Sequence, residues 1–307
     1  MSKKRKRIKR KEFFKNGFNI NPILFSFIIL LLFLIPFFIS YYFTFEHIKR
    51  KEAVSIKEEA EFLQNKIVSE EELNNLYRNY KKDNNQVLIL GYHQIRNIDD
   101  KDTEKEKLFI TSPRVFEEEM KYLKDNNYIS ISITDYINYL KDNIRNPIPK
   151  KSIIITFDDG YATQYQNAFP ILKKYNMKAT FFIYADCIDI YPVCMTKENL
   201  IDLVNNNMKL GNHTYHHVYL TDYKYNTIKK EIVDNQKFIE SFGKNNAEKI
   251  LAYPYGLVDS SIIEALKELN YFGGVGVSFF AKDNKDIYNL PRYLLGDNIQ
   301  NFYDLLN

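Results

Sequence analysis

The chain has 307 residues, 45% of them hydrophobic and 27% charged, which is enough apolar content for a packed core and excludes a disordered chain. Its formal net charge of +4 is unevenly spread, because residues 1–15 hold nine Lys/Arg against one Glu and leave the rest of the chain at −4. A basic arm on a mildly acidic body excludes a nucleic-acid-binding domain, whose positive charge would lie on the folded surface.

The predicted elements begin with that arm, residues 1–21. Next comes the run ILFSFIILLLFLIPFFISYYFTF (23–45), which contains no charged residue. As a helix it is long enough to cross a hydrocarbon core of roughly 30 Å, and Tyr41 and Tyr42 suit the interfacial belt. The run is too long for the apolar part of a cleaved signal peptide, and no small-x-small site follows Ser40. Residues 22–45 therefore read as a single-pass membrane anchor. The positive-inside rule places the arm in the cytoplasm and the body outside.

Residues 46–85, rich in Lys, Glu and Asn, read as a solvated helical stalk. From residue 86 the pattern changes to short apolar runs alternating with amphipathic segments. Strands are expected at VLILGY (87–92), YISIS (128–132), SIIITF (152–157), ATFFIYA (179–185), MKLGN (208–212), KILAYPYG (249–256) and YFGGVGV (271–277). Helices are expected at 113–127, 135–140, 164–175 (bent or shortened by Pro170), 198–206, 222–242 and 260–270. Alternation of this kind means a parallel sheet with crossover connections, open or closed as a barrel, in one α/β domain over 86–307. Cys187 and Cys194 fall on the outer side, where a disulfide is permitted; the sequence leaves open whether they pair.

Ligands in such folds bind beyond the carboxyl ends of the strands. There the chain places His93 (GYHQI), Asp158 and Asp159 (TFDDG), and His213, His216 and His217 (NHTYHH). Four of the five histidines thus sit just past expected strands. The i, i+4 spacing of His213 and His217 puts both rings on one face of a helical turn. Two imidazoles and one carboxylate make a three-ligand metal site with an open position. A metal held there lowers the pKa of its water from about 15.7 towards 7. One aspartate is then a ligand and the other a proton acceptor. His93 is the candidate acid, with a satisfied core histidine as the plain alternative. His216 points elsewhere on the turn, and Thr214 is a candidate for a supporting hydrogen bond.

TFDDG, H-T-x-x-H and a Pro-Tyr turn, in that order, resemble the NodB-type polysaccharide deacetylases of carbohydrate esterase family 4, over about residues 86–296. The resemblance implies a distorted (β/α) barrel and one divalent metal, usually Zn²⁺. It implies Asp158 as catalytic base, Asp159, His213 and His217 as metal ligands, and the backbone N–H of Tyr255 as an oxyanion donor. Two departures stand out. The family's Arg-x-Pro-Tyr motif reads Ala252-Tyr253-Pro254-Tyr255, and no histidine follows His217 to fill a C-terminal Leu-x-His motif. Both departures resemble the poly-β-1,6-N-acetylglucosamine deacetylase branch, in which the acid histidine arrives on a first strand, as His93 does here. Arg292, the only arginine after Arg145, is a candidate replacement for the missing one.

The implied function is hydrolysis of N-acetyl groups on an extracellular N-acetylglucosamine polysaccharide, with exopolysaccharide synthesis machinery as a candidate partner. Alternatives are a peptidoglycan or chitin-oligomer deacetylase, and a catalytically dead anchored glycan-binding protein. A two-metal phosphoesterase would need more acidic or histidine ligands. GGVG (273–276) lacks the context of a phosphate-cradling loop.

Overall fold

The computed structural model describes residues 87–278 and 285–306. The arm, the anchor and the stalk lie outside the described residues. Among the described residues no helix is long and apolar enough to cross a membrane.

Among the described residues ten strands are present: β1 (Leu88–Tyr92), β2 (Gln94–Ile95), β3 (Ile110–Thr111), β4 (Ile129–Ser130), β5 (Ser152–Phe157), β6 (Thr180–Ile183), β7 (Lys209–Asn212), β8 (Ala247–Ala252), β9 (Gly273–Val277) and β10 (Leu290–Leu294). Between and after them run α1 (Glu104–Lys107), α2 (Pro113–Asp125), α3 (Ile133–Lys141), α4 (Phe169–Tyr175), α5 (Lys197–Asn205), α6 (Tyr225–Glu240), α7 (Ser260–Glu268) and α8 (Ile299–Leu306). The large sheet runs β1-β10-β9-β8-β7-β6-β5-β4, and β1 also pairs with β5. That second pairing, in register from Leu88↔Ile153 to Tyr92↔Phe157, closes seven parallel strands into a barrel. The closed alternative is therefore the one adopted, with β4 hanging on the start of β5 through Ile129↔Ser152.

Strands covered on both sides should read as unbroken apolar runs, and LILGY and SIIITF are buried throughout. Ile89, Ile154, Phe182, Ile250, Ala252 and Val275 share one cluster with Ile133, Tyr136 and Ile137 of α3. The outer faces pack on the helices, as where Leu251 and Tyr253 meet Ile228 and Ile232 of α6 and Ile262 and Leu266 of α7. Gly274 permits one close approach: a Cβ there would lie 2.2 Å from the Tyr253 hydroxyl.

Helix starts follow side-chain chemistry. Ser112 caps α2 ahead of Pro113, and Ser132 and Asp135 form a capping box on α3. The segment expected as one bent helix over 164–175 is a π-helical turn, Gln164–Ala168, running into α4, with Pro170 in the first turn of α4. Several expected elements overran, most of all YISIS, which shrinks to two paired residues, 222–242, which shrinks to Tyr225–Glu240, and 179–185, which shrinks to Thr180–Ile183 followed by a 3₁₀ turn.

Beneath β1, the Tyr92 hydroxyl donates to Glu119 Oε2 at 2.8 Å, and Glu119 is fully buried. Burial above all, with Asp297 and Glu118 adding to it and Tyr92 opposing, pushes this carboxyl up to about 8. Between about pH 4.5 and 8 the native state thus keeps a proton that the unfolded chain releases. Stability falls as pH rises through that window, by at most about 1.4 kcal/mol per unit. Glu119→Gln is expected to melt higher than the wild type at pH 8 and level with it at pH 5. Equal differences at both pH values would show that Glu119 is ionised in the fold.

Candidate active site

The barrel gathers the expected groups at the carboxyl ends of β1, β5, β7 and β8. Asp158 and Asp159 follow β5, and the Asp158 N–H donates to Tyr92 O at 2.9 Å, joining the turn to the end of β1. Asp159 (φ 73°) and Gly160 (φ 71°) then turn the chain sharply. The two carboxylates, neighbours in sequence, point to different partners.

Asp158 faces Arg292. The guanidinium Nη1 donates to Oδ1 at 2.5 Å and Nη2 to Oδ2 at 2.7 Å, a bidentate pair, while Nε donates to Gly276 O at 3.3 Å. Arg292 is 1% exposed and lies over the Phe182 ring. Burial pushes the Asp158 carboxyl up, but Arg292 first, then His213 and His93, outweigh it and hold Asp158 below the usual carboxylate range. His93 Nε2 lies 4.0 Å from Asp158 Oδ2, with its ring edge-on to Phe109. Gln164, fully buried in the π-helical turn, donates to both His93 O (2.9 Å) and Asp158 O (2.5 Å) and so ties the two backbones together.

Asp159 faces the histidines. Its Oδ1 lies 3.3 Å from Nε2 of His213 and 3.3 Å from Nε2 of His217, and all three residues are buried. His213 Nδ1 sits 2.9 Å from Ala252 O. A carbonyl only accepts, so Nδ1 carries the proton, and a neutral His213 points the lone pair of Nε2 at the carboxylate. Acceptors converging in a buried space require a cation, either a proton or a metal. The electrostatics agree. Burial lowers the His213 pKa, yet Asp158 and Asp159 raise it on balance. Asp159 is held well below the usual carboxylate range, with burial opposed first by His217 and then by His213. The donor set, one carboxylate and two imidazoles, fits a divalent cation.

Zn²⁺ is accordingly expected to raise the melting temperature of the wild type, by the equivalent of about 2.7 kcal/mol at a hundredfold excess over Kd. His217→Ala should abolish the shift. An equal zinc shift in the variant would place the cation elsewhere.

The path from His213 to His217 corrects the expected helical turn. Residues 213–219 are a loop, with Thr214 (φ 63°) and His217 (φ 53°) both left-handed. Thr214 is β-branched, so this backbone needs support from outside the loop. Asn212 Oδ1 accepts from the Thr214 N–H at 2.9 Å and from Asn235 Nδ2 at 3.0 Å. Glu231 of α6 accepts from the N–H groups of Tyr215 (3.1 Å) and His216 (3.0 Å) and from His216 Nδ1 (2.8 Å). His216 thus points away from the cation position. The supporting hydrogen bond expected of the Thr214 hydroxyl is not made: Oγ1 is buried with no partner among the described residues.

Tyr255 sits in the 3₁₀ turn Pro254–Gly256 after β8, at φ 60°. Its ring stacks on Tyr219 at 3.7 Å between centroids and lies 4.8 Å from the His217 ring, which Tyr184 flanks on another side. Gln164, Glu231 and Asn235 were not singled out from sequence, since buried amides and carboxylates on helices carry no motif. Cys187 and Cys194 are joined, with Cα atoms 5.9 Å apart.

A closed parallel barrel thus sets a buried Asp-His-His triad, a group that could hold a metal ion, beside an arginine-held carboxylate. Residues 145–273 match the family described as polysaccharide deacetylase. Over 235 residues it is 27% identical to the poly-beta-1,6-N-acetyl-D-glucosamine N-deacetylase of Staphylococcus aureus, covering 69% of this chain and 80% of that one. It is 31% identical over 160 residues to the Bacillus subtilis protein YxkH, covering 52% of this chain and 56% of that one, so it spans about half the length of that relative. Among solved structures, the deacetylase PplD of Streptococcus pyogenes superposes with a TM-score of 0.65 at 24% identity, over 72% of this chain and 98% of that one. IcaB of Ammonifex degensii gives 0.60 at 21%, over 72% and 97%. At these identities the two structures speak for the fold.

Proposed function

We propose that this protein removes N-acetyl groups from an N-acetylglucosamine polymer of the poly-β-1,6 type, outside a membrane to which residues 22–45 anchor it. The observation that carries the chemistry is the division of labour between adjacent carboxylates, one among imidazoles and the other clamped by a guanidinium. A divalent cation held by Asp159, His213 and His217, with zinc as the first choice, would supply a Lewis acid and an acidified water. Asp158 accepts the proton of the attacking water. Its bidentate pairing leaves both oxygens fixed in direction and keeps the group ionised at neutral pH. His93, across from Asp158, donates a proton to the departing amine nitrogen, so the C–N bond breaks to give acetate and a free amine. The Tyr255 N–H takes the developing oxyanion.

The choice of polymer is supported by the named activity of the staphylococcal relative and by the placement of His93 directly after the first barrel strand. The location is supported by the uncharged 23–45 run behind a basic arm, and by a disulfide, which persists in oxidising compartments. The exopolysaccharide synthesis machinery is the partner such a location would bring near.

The test is acetate release by the full-length protein in detergent from poly-β-1,6-N-acetylglucosamine, with zinc and after chelation, and with peptidoglycan in parallel. Metal-dependent release from the first substrate is the expected result. Release from peptidoglycan alone would overturn the substrate, and release from neither, with metal bound, would overturn the enzymatic reading.

A further inference from the structure

The Asp158–Asp159–Gly160 turn is an awkward piece of backbone. Two successive residues are left-handed, and the first of them is an aspartate offered to the cation position. Nothing within 158–160 holds that conformation; Tyr92 and Gln164 fix the backbone of Asp158, and the segment 185–195 restrains the two left-handed residues that follow. Met195 N–H donates to Gly160 O at 2.9 Å, and Ala162 N–H donates to Val193 O at 2.7 Å. Tyr161 and Cys194 form an antiparallel bridge between these two bonds. Cys187 Sγ lies 3.6 Å from Asp159 O, and Ile188 packs under Gly160, where a Cβ would lie 3.3 Å from its Cδ1. The same segment reaches the second half of the site, since Asp186 N–H donates to Tyr215 O at 3.0 Å, between His213 and His217.

One short strap thus touches both loops that supply the cation ligands, and the Cys187–Cys194 bond closes it. The bridged residues are seven apart, so the ring is small, and a small ring restricts the unfolded chain less than a long one. Its position speaks for local shape. Both sulfurs are buried against the turn, and the closed barrel and its helices make their pairings without them.

We propose that the Cys187–Cys194 disulfide is a positioning element of the metal site: it holds the strap 193–195 on the Asp159–Gly160–Tyr161 turn and Asp186 on the histidine loop, so that opening it weakens cation binding while the barrel stays folded. The proposal rests on the metal-dependent reading given above.

Three samples of the full-length protein decide it: the oxidised wild type, the wild type reduced by a phosphine with thiols counted by mass, and Cys187→Ala/Cys194→Ala. Each is titrated with Zn²⁺ against a chromophoric chelator, and its fold is followed by near- and far-ultraviolet circular dichroism. The expected result is a native spectrum in all three and a Kd for zinc weakened roughly tenfold or more in both opened samples, in line with the loss of other ligand-orienting partners. Wherever turnover is measurable, kcat should fall at unchanged KM for the glycan, and reoxidation of the reduced sample should restore the affinity. Equal zinc affinity in all three would overturn the proposal and leave the deacetylase reading intact. Unfolding of both opened samples would also overturn it, because the bond would then serve the whole fold. Absence of zinc binding in the oxidised wild type would overturn the metal-dependent reading itself.

Discussion

Asp158→Asn is expected to lower kcat for acetate release by about 10²–10⁴-fold, the usual contribution of a positioned general base, with zinc affinity nearly unchanged. The geometry makes the two readouts separable. Asp159, His213 and His217 form the cation triad without Asp158, whereas Asp158 spends both oxygens on Arg292. An amide at position 158 keeps the size of the side chain but cannot take a proton from water. It also leaves a buried guanidinium facing a neutral group, so a lower melting temperature accompanies the kinetic loss. The zinc-induced shift in that melting temperature should survive. An Asp158→Asn variant that turns over at the wild-type rate would remove Asp158 from the mechanism, and one that no longer binds zinc would make it a ligand.

Arg292→Met should show the largest loss of stability of any single change at the site, about 3–5 kcal/mol by denaturant titration at pH 7, because it strands a buried carboxylate. A second consequence concerns pH. In the wild type, Arg292 is the chief reason that Asp158 sits below its ordinary value despite burial. A depressed carboxylate contributes stability that is complete above its unfolded pKa, near 4, and that is lost as pH falls through the folded value. Without the guanidinium, burial acts with less opposition and the folded pKa rises. The acidic limb of the kcat/KM profile should therefore move to higher pH in Arg292→Met, while Arg292→Lys, keeping a charge but not the fork, falls between. An unmoved acidic limb would mean that the limb reports some other group.

The sequence made the strand ends legible because parallel strands buried on both faces leave unbroken apolar runs, and SIIITF ends at Asp158 as plainly as LILGY ends at His93. It made α2, α3 and α7 legible through caps and amphipathic spacing. It did not show β10. LPRYL is short and holds a proline and an arginine, each of which argues against a central strand, yet Arg292 is buried there because its charge is met by Asp158 from another strand. Closure was equally hidden, since the pairing of β1 with both β5 and β10 is a long-range fact. The shape of the histidine loop was misread for a related reason. An i, i+4 spacing suggests a helix, but Glu231 and Asn212 supply better partners for the loop N–H groups than a helical turn would. The pairing of Cys187 with Cys194 needed a distance that no spacing rule provides.

The order in which the chain is made gives the β1–β5–β10 junction a further meaning. His93 and Asp158 are synthesised well before Arg292, and at roughly 5–20 residues per second the interval from His93 to Arg292 is on the order of 10–40 s. Until β10 is inserted, β1 and β9 both present open edges, and Asp158 lacks its guanidinium partner. Insertion of one strand seals the seam and brings Arg292 onto Asp158, the proposed base, in a single event. The bidentate pair therefore joins the end of β5 to the last strand of the barrel as well as fixing the proposed base. On the proposed mechanism, a chain whose β10 has not yet paired would lack the guanidinium that fixes Asp158, so full activity is expected only of the closed ring.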